Sequence, residues 1–265
     1  MHITNKIKRT LLVFVLTASL ALPQLSGAED QGPTADASIA LMSQYIWRGY
    51  EQSRDSLILQ PSLTIGYEGF AANIWQSIDT DPAGDTQHLY ETDFTLSYDT
   101  EINGISLGAG WIWYVLPDAE YDSQEFYVTA GLNSFLNPSL TIYREFYHAP
   151  STYILLSISH SIDVGWRGAT LNLGLSGSYL LSNDKGSYAD PDDADDEYNN
   201  FHDGLLSLEL DIPLNRYVHV TPALYWSFPL CDDAADDMKQ WARGFLNHHG
   251  KDNFLYGGVI VNISF

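Results

Sequence analysis

The segment Leu255-Tyr256-Gly257-Gly258-Val259-Ile260-Val261-Asn262-Ile263-Ser264-Phe265 decides the fold class of this chain. Val259 and Phe265 lie on one face with apolar residues at every second position, whereas Asn262 and Ser264 fall on the other face. Because side chains alternate across a β-strand, one face of this strand is apolar and the other is polar. A terminal aromatic on the apolar face is typical of a strand that faces lipid.

The first 28 residues are predicted to be a signal peptide. Lys8 and Arg9 precede a predominantly apolar run over 11–20, and small residues Ser26 and Ala28 supply a cleavage site. The apolar run is shorter than the ~20 residues that a spanning helix requires. We therefore expect an exported chain, with residues 29–265 forming a single domain. One cysteine, Cys231, excludes an intramolecular disulfide framework.

The composition is strongly acidic, with 34 Asp and Glu against 12 Lys and Arg and a formal net charge of −22. Such a surface repels nucleic acid, so we expect no nucleic-acid partner. Many acids gather between the alternating runs, and the segments 182–200 and 229–252 are predicted to be long acidic extracellular loops.

Two interpretations of the acidic loops stay open. Solvated loops need no further role, but clustered carboxylates also bind divalent cations, which would bridge lipopolysaccharide or concentrate cations at a pore. The sequence offers a weak divalent site, suited to Ca²⁺, at Asp192, Asp193, Asp195 and Asp196. No other cofactor is expected.

Alternation of apolar and polar residues predicts twelve strands. The predicted strands are 36–48, 56–67, 70–79, 88–99, 104–115, 123–133, 138–148, 152–161, 168–181, 201–212, 215–228 and 253–265. Short turns alternate with longer polar loops, which is typical of outer-membrane barrels. The predicted fold is therefore all-β, a closed antiparallel up-and-down transmembrane β-barrel of about 12 strands in the Gram-negative outer membrane. Its partners would be membrane lipid and lipopolysaccharide, and its oligomeric state stays open.

Within such a barrel, alternation assigns polar side chains to the lumen. The pore-lining candidates are Arg48, Glu91, Asp93, Glu125, Glu209, Asp211 and Arg216. Their excess of carboxylates favours cations over anions. For Arg48, at the predicted end of the first strand, two roles stay open, a salt bridge that fixes the first loop or a charge at the pore constriction.

Three strand residues fit the pattern poorly. Arg144 falls on the lipid face, where we expect it to lie near the interface or beside a bulge. Pro61 and Pro222 each remove a hydrogen-bond donor from a strand without a free edge, and we expect bulges there.

The last long loop contains a predicted amphipathic helix. Met238, Trp241 and Phe245 lie on one helical stripe, acids precede them, and Gly250 is a stop signal. The stripe would pack on the barrel rim or, alternatively, act as a plug or lid in the mouth.

Three segments carry a resemblance to a known family. They are Ser43-Gln44-Tyr45-Ile46-Trp47-Arg48-Gly49-Tyr50-Glu51-Gln52-Ser53, Gln60-Pro61-Ser62-Leu63, and Tyr67-Glu68-Gly69-Phe70-Ala71-Ala72-Asn73-Ile74-Trp75-Gln76-Ser77. Together they resemble the TorF-type porin family of proteobacterial outer-membrane proteins. The resemblance implies an outer-membrane β-barrel of poorly defined substrate and no catalytic residues.

The leading hypothesis is a porin-like channel for passive diffusion of small polar solutes or cations, with a weak cation preference. A non-conducting structural or binding barrel, whose acidic loops bind divalent cations, is the alternative. A remote alternative is a rim protease that uses His202 and Asp203 with Asp79 or Asp81. We expect no enzyme activity.

Overall fold

The computed structural model describes residues 32–54, 56–82, 88–117, 122–193, 195–245 and 250–265, which form a closed antiparallel barrel of twelve strands. The elements in chain order are β1 (Thr34–Met42), β2 (Ile46–Trp47), β3 (Tyr50–Glu51), β4 (Ile58–Tyr67), β5 (Phe70–Asp79), β6 (Leu89–Ile102), β7 (Ile105–Val115), β8 (Ser123–Leu132), β9 (Ser139–Glu145), β10 (Ser151–Asp163), β11 (Thr170–Ser182), β12 (Asn199–Pro213), β13 (Val218–Pro229), α1 (Asp232–Phe245) and β14 (Phe254–Ser264). The predicted signal peptide, residues 1–28, lies outside the described residues.

The first and last strands close the barrel. β1 pairs on one side with β14, where Ala37 is opposite Ile263, and on the other with β4, where Ala37 is opposite Leu63. From β4 to β14 each barrel strand pairs with the next along the chain. The fold class predicted from alternation is confirmed. Because a closed barrel has no edge strands, every strand can satisfy its backbone groups within the sheet.

The two faces of the wall follow the predicted alternation. On β6, Asp93 and Thr95 point into the lumen and are 8% and 4% exposed, whereas Phe94 and Leu96 point outward and are 39% and 56% exposed. Large apolar side chains are exposed around the whole barrel exterior. This exterior matches hydrocarbon and would be unfavourable in water.

The connections differ between the two ends of the barrel. Tight turns at one end include Glu68-Gly69 (φ 48° and 89°) and Asn103-Gly104 (φ 53° and 80°). Positive φ at both central residues defines the two-residue turn that fits the twist of a hairpin. The loops 183–198 and 230–253 lie at the opposite end, hereafter the long-loop end.

The structure corrects the predicted first strand and the predicted bulges. β1 ends at Met42 rather than at 48, because the chain then turns into the barrel. Pro61 and Pro222 interrupt the β4–β5 and β12–β13 ladders without a change of register, so the bulges predicted there are wrong. Register shifts occur instead between Gly177 and Tyr179 and at Ser77 on β5.

Arg144 lies on the barrel exterior close to the long-loop end of β9. Its guanidinium donates to Oγ1 of Thr152 at 3.0 Å and to the side chain of Asn183 in the adjacent loop. This placement near the interface agrees with the expectation that the arginine avoids the middle of the membrane. Among the described residues, no helix is long and apolar enough to span a membrane.

The seam between β1 and β14 provides a test of barrel closure. A Cβ atom on Gly258 would lie 1.9 Å from the backbone oxygen of Leu41, so Gly258→Ala must push the two strands apart. A Cβ on Gly177 would lie 3.4 Å from Cδ1 of Leu230, an ordinary contact. We expect Gly258→Ala to lower the yield of refolded barrel, measured by heat-modifiable electrophoretic mobility, and the control Gly177→Ala to refold normally. Equal yields would contradict the closure geometry.

A plugged lumen as the candidate functional site

Residues 43–57, hereafter the plug, connect β1 to β4 at the long-loop end, and the described residues 44–53 fold into the lumen. The plug contains the short hairpin β2–β3, whose turn is formed by Arg48 (φ 49°) and Gly49 (φ 81°). Ile46 and Glu51 are each 1% exposed, as buried as any residue of a soluble core. The segment that was predicted to form the end of the first strand therefore occupies the barrel lumen.

Arg48 at the plug tip forms an ion pair with the barrel wall. Its two terminal nitrogens donate to the two carboxylate oxygens of Glu125 on β8, at 2.7 and 2.8 Å. Tyr114 also donates to Glu125, at 2.8 Å. Burial alone lowers the pKa of Arg48, but the adjacent Glu125 carboxylate more than offsets this, and the guanidinium stays charged. A forked pair of this kind is the strongest geometry available to arginine.

Three aromatic rings surround the same guanidinium. Its carbon lies 4.6 Å from the ring centre of Trp47, 4.7 Å from that of Tyr143 and 4.2 Å from that of Tyr153. Cations are attracted to aromatic faces at such distances, and more strongly when water is excluded. Tyr143 and Tyr153 belong to the neighbouring wall strands β9 and β10, whereas Trp47 belongs to the plug. We call Glu125, Tyr143 and Tyr153 the wall cage.

Further polar contacts fix the plug to the wall. His202 on β12 lies 3.1 Å through Nε2 from the backbone oxygen of Arg48. Tyr45 donates to Glu91 at 2.9 Å, and Tyr90 donates to Gln52 at 2.9 Å. These bonds satisfy polar groups that burial would otherwise make costly.

Apolar packing fills the remaining space around the plug. Tyr45 and Ile46 belong to a buried cluster whose wall members include Trp75, Tyr225 and Tyr256. A void beside this cluster measures about 20 Å³, enough for about one water molecule. The described plug residues therefore pack closely against this part of the wall.

Helix α1 covers the plug from outside. Met238 is 1% exposed and packs on Tyr50, while Nε1 of Trp241 donates to the backbone oxygen of Glu51 at 3.0 Å. A helix, hereafter the lid, forms in the predicted segment, and Met238 and Trp241 of the predicted stripe contact the plug. The side chain of Phe245, the third residue of the predicted stripe, lies outside the described residues.

The predicted pore-lining acids lie on the inner face of the wall. Glu91, Asp93 and Glu209 are 6%, 8% and 6% exposed, and Tyr225 donates to Glu209 at 2.7 Å. Asp211 is half-buried and lies 2.9 Å from Nδ1 of His219.

Arg216 is placed differently from the prediction. It lies in the exposed turn between β12 and β13, with its guanidinium 4.4 Å from the ring centre of Tyr217. It is not part of the lumen wall, because β13 begins only at Val218.

The predicted protease residues do not form a rim site. His202 is fully buried under the plug, and Asp203 accepts from Tyr153 at 2.8 Å and from Ser178 at 2.6 Å. The register shift beside these residues turns two consecutive side chains inward. Both side chains make structural hydrogen bonds and are too buried to contact a substrate.

The predicted divalent site is not assembled. Asp193 accepts from the backbone N–H of Asp195, and Asp195 pairs with Lys185 at 3.3 Å. The described residues contain no group of three or more His, Cys, Asp or Glu side chains that could hold a metal ion. The positions Asp192 and Asp196 belong to the same exposed loop.

Sequence reasoning missed the aromatic partners of Arg48. Tyr143 and Tyr153 occupy inward positions on adjacent strands, directly opposite each other in the register. Aromatic residues at inward positions of neighbouring predicted strands were a signal for a filled lumen. The Arg48-Gly49 pair gave only a weak signal for the β2–β3 turn, because arginine rarely occupies the first central position of such turns.

The contact between the lid and the plug is sensitive to pH. Tyr50 donates to Asp237 on α1, and burial raises the pKa of Asp237 to about 6, although this hydrogen bond lowers it. The docked lid therefore holds a proton more tightly than the undocked lid, and docking strengthens as pH falls from about 7 to 5. We expect slower amide exchange in α1 at pH 5 than at pH 7.5, after correction for the intrinsic rate.

Substitution of Asp237 checks this effect. Asp237→Asn should dock about equally at both pH values, because it cannot ionise. Asp236→Asn, an exposed neighbour on the same helix, should keep the wild-type response. An unchanged pH response in Asp237→Asn would show that another group controls the lid.

Comparison with solved structures agrees with the fold. An outer membrane channel from Pseudomonas putida F1 superposes with a TM-score of 0.52 at 10% identity, covering 91% of this chain and 100% of that one. The NanC porin superposes with a TM-score of 0.50 at 9% identity, covering 87% and 98%. Identities this low show a shared fold alone. The closed barrel and its apolar exterior place the protein in the bacterial outer membrane.

Comparison of sequences identifies a family. A search of curated proteins gave no match to the chain. A family model described as "Bacterial protein of unknown function (Gcw_chp)" matches residues 27–190, a span that includes the plug, Glu125, Tyr143 and Tyr153. Since this span is more than half of the chain, the protein belongs to the Gcw_chp family of bacterial proteins.

Proposed function

We propose that this protein is an outer-membrane channel for passive diffusion of small polar solutes, held closed by the plug in the state described. The observation that carries the proposal is the Arg48–Glu125 ion pair, which fixes a loop across an otherwise carboxylate-lined lumen. The plug is covalently continuous with the barrel at β1 and at β4, so breaking its non-covalent contacts would let it withdraw toward the long-loop end and leave the wall intact. The resemblance of residues 43–77 to TorF-type porins supports the same function.

The burial of ionisable groups favours a channel over a permanently filled scaffold. Desolvating an ion costs several kcal/mol, and an apolar filling of equal volume is often more stable. The lumen nevertheless contains buried carboxylates at Glu91, Asp93 and Glu145. Among the described residues, Oδ1 of Asp93 and Oε2 of Glu145 have no hydrogen-bond partner. Ionisable groups inside a membrane protein generally line a path for ions or polar solutes.

The same carboxylates predict a weak cation preference. When the plug withdraws, Arg48 leaves the lumen while Glu125 and Glu209 remain on the wall. A negative lumen raises the local concentration of cations and lowers that of anions. Small cations and neutral polar solutes would therefore pass more readily than anions.

A non-conducting barrel is the second candidate, and close packing around the plug favours it. In that case Arg48 would be a permanent structural tie. The acidic loops would then contribute by binding divalent cations near lipopolysaccharide, although the described carboxylates are not assembled for this. We propose no enzymatic activity.

Weakening the ion pair should open the channel. Glu125→Gln removes the charge that pairs with Arg48, and loss of one partner of a buried pair costs about 2–5 kcal/mol. We expect openings of the refolded protein in planar bilayers to become at least about tenfold more frequent than in wild type. The reversal potential in a KCl gradient should have the sign of a cation-preferring pore.

Two controls make the bilayer experiment decisive. Glu101→Gln makes the same chemical change at an exposed position near the tight-turn end and should gate like wild type. Deletion of residues 44–56 with a short glycine linker should conduct continuously. Absence of conductance in both Glu125→Gln and the deletion variant, from protein shown to be folded, would contradict the channel function.

A further inference from the structure

The wall cage has the chemistry of a cation receptor that does not depend on the plug. Glu125 on β8 provides two carboxylate oxygens, while Tyr143 on β9 and Tyr153 on β10 provide ring faces. These strands are neighbours in the closed sheet, and Tyr143 is directly opposite Tyr153. The cage is therefore held by strand pairing and would persist when Arg48 leaves.

A second carboxylate beside the cage has unused hydrogen-bonding capacity. Glu145 is directly opposite Glu125 in the β8–β9 ladder and is 4% exposed. Its Oε1 accepts from Ser123 and from backbone N–H groups, but Oε2 has no hydrogen-bond partner among the described residues. Buried carboxylate oxygens are normally satisfied, so this one is available to a donor on a bound molecule.

Resting on the proposed function, we infer that the wall cage is the solute-binding site of the channel and that its ligands are small molecules with a guanidinium group. Arg48 then acts as a tethered occupant of that site. The fork of Glu125 matches the planar donor pair of a guanidinium, whereas a quaternary ammonium has no N–H to donate. The rings attract either cation, so Glu125 provides the selectivity.

Binding of a solute in the wall cage would favour opening of the channel. A free guanidinium and Arg48 compete for the same two oxygens and the same ring faces. A ligand that binds only when the plug is displaced shifts the population toward the open state. In wild type the tethered arginine has a high effective concentration, so free ligand competes weakly. Removal of the Arg48 side chain should expose the site.

The test measures equilibrium binding to the full chain in detergent, by calorimetric titration with methylguanidinium and with tetramethylammonium. Arg48→Ala should bind methylguanidinium with a Kd of about 1 mM, and at least about tenfold more tightly than tetramethylammonium. Arg48→Ala/Glu125→Gln should lose about tenfold in affinity or more, because the charge-assisted fork is gone. The matched control Arg48→Ala/Glu101→Gln should bind like Arg48→Ala.

The outcomes separate this inference from channel function. Equal affinity of Arg48→Ala and Arg48→Ala/Glu125→Gln for methylguanidinium would overturn the inference, even if the protein conducts. Selective binding without conductance would support the cage and contradict only the channel.

A measurement on wild type avoids variants that fail to fold. Methylguanidinium, but not tetramethylammonium, should speed amide exchange in residues 46–52, and an equal effect of both would overturn the inference.

Discussion

The structure depends on one constraint, the burial of the Arg48 charge inside a closed barrel. A guanidinium removed from water is tolerated only when its charge and its donors are matched. Glu125 supplies the counter-charge, and Trp47, Tyr143 and Tyr153 supply the ring faces. The plug and three wall strands, β8, β9 and β10, must therefore be correctly placed relative to one another.

This constraint links the plug to four wall strands, β8, β9, β10 and β12. Arg48 contacts β8, β9 and β10 through its side chain, while its backbone oxygen meets His202 on β12. Lid helix α1 then closes over Tyr50 and Glu51. These polar contacts accompany apolar packing, because Tyr45 and Ile46 lie in a buried cluster and Met238 packs on Tyr50.

Much of the barrel was predictable from the sequence. Successive residues of a wall strand face lipid and lumen in turn, so apolar and polar residues must alternate along it. The eleven strands after the first lie within a few residues of their predicted bounds. The plug was not predictable, since residues 43–48 continue the alternation of β1 and only tertiary contacts turn them inward. Glu125 and Arg48 were both assigned to the lumen, but their pairing depends on the inward turn. The paired inward residues His202 and Asp203 follow from a register shift, which strict alternation cannot anticipate.

The most direct test of the account is a double-mutant cycle on the plug, with amide exchange of residues 46–52 as the measurement. The variants are Arg48→Met, Glu125→Gln and both together, each as refolded full chain. The account predicts that each single change strongly reduces protection, that the double change adds little, and that the coupling energy is about 2–5 kcal/mol. Additive effects, or full protection in all three variants, would show that Arg48 and Glu125 do not hold the plug in the barrel.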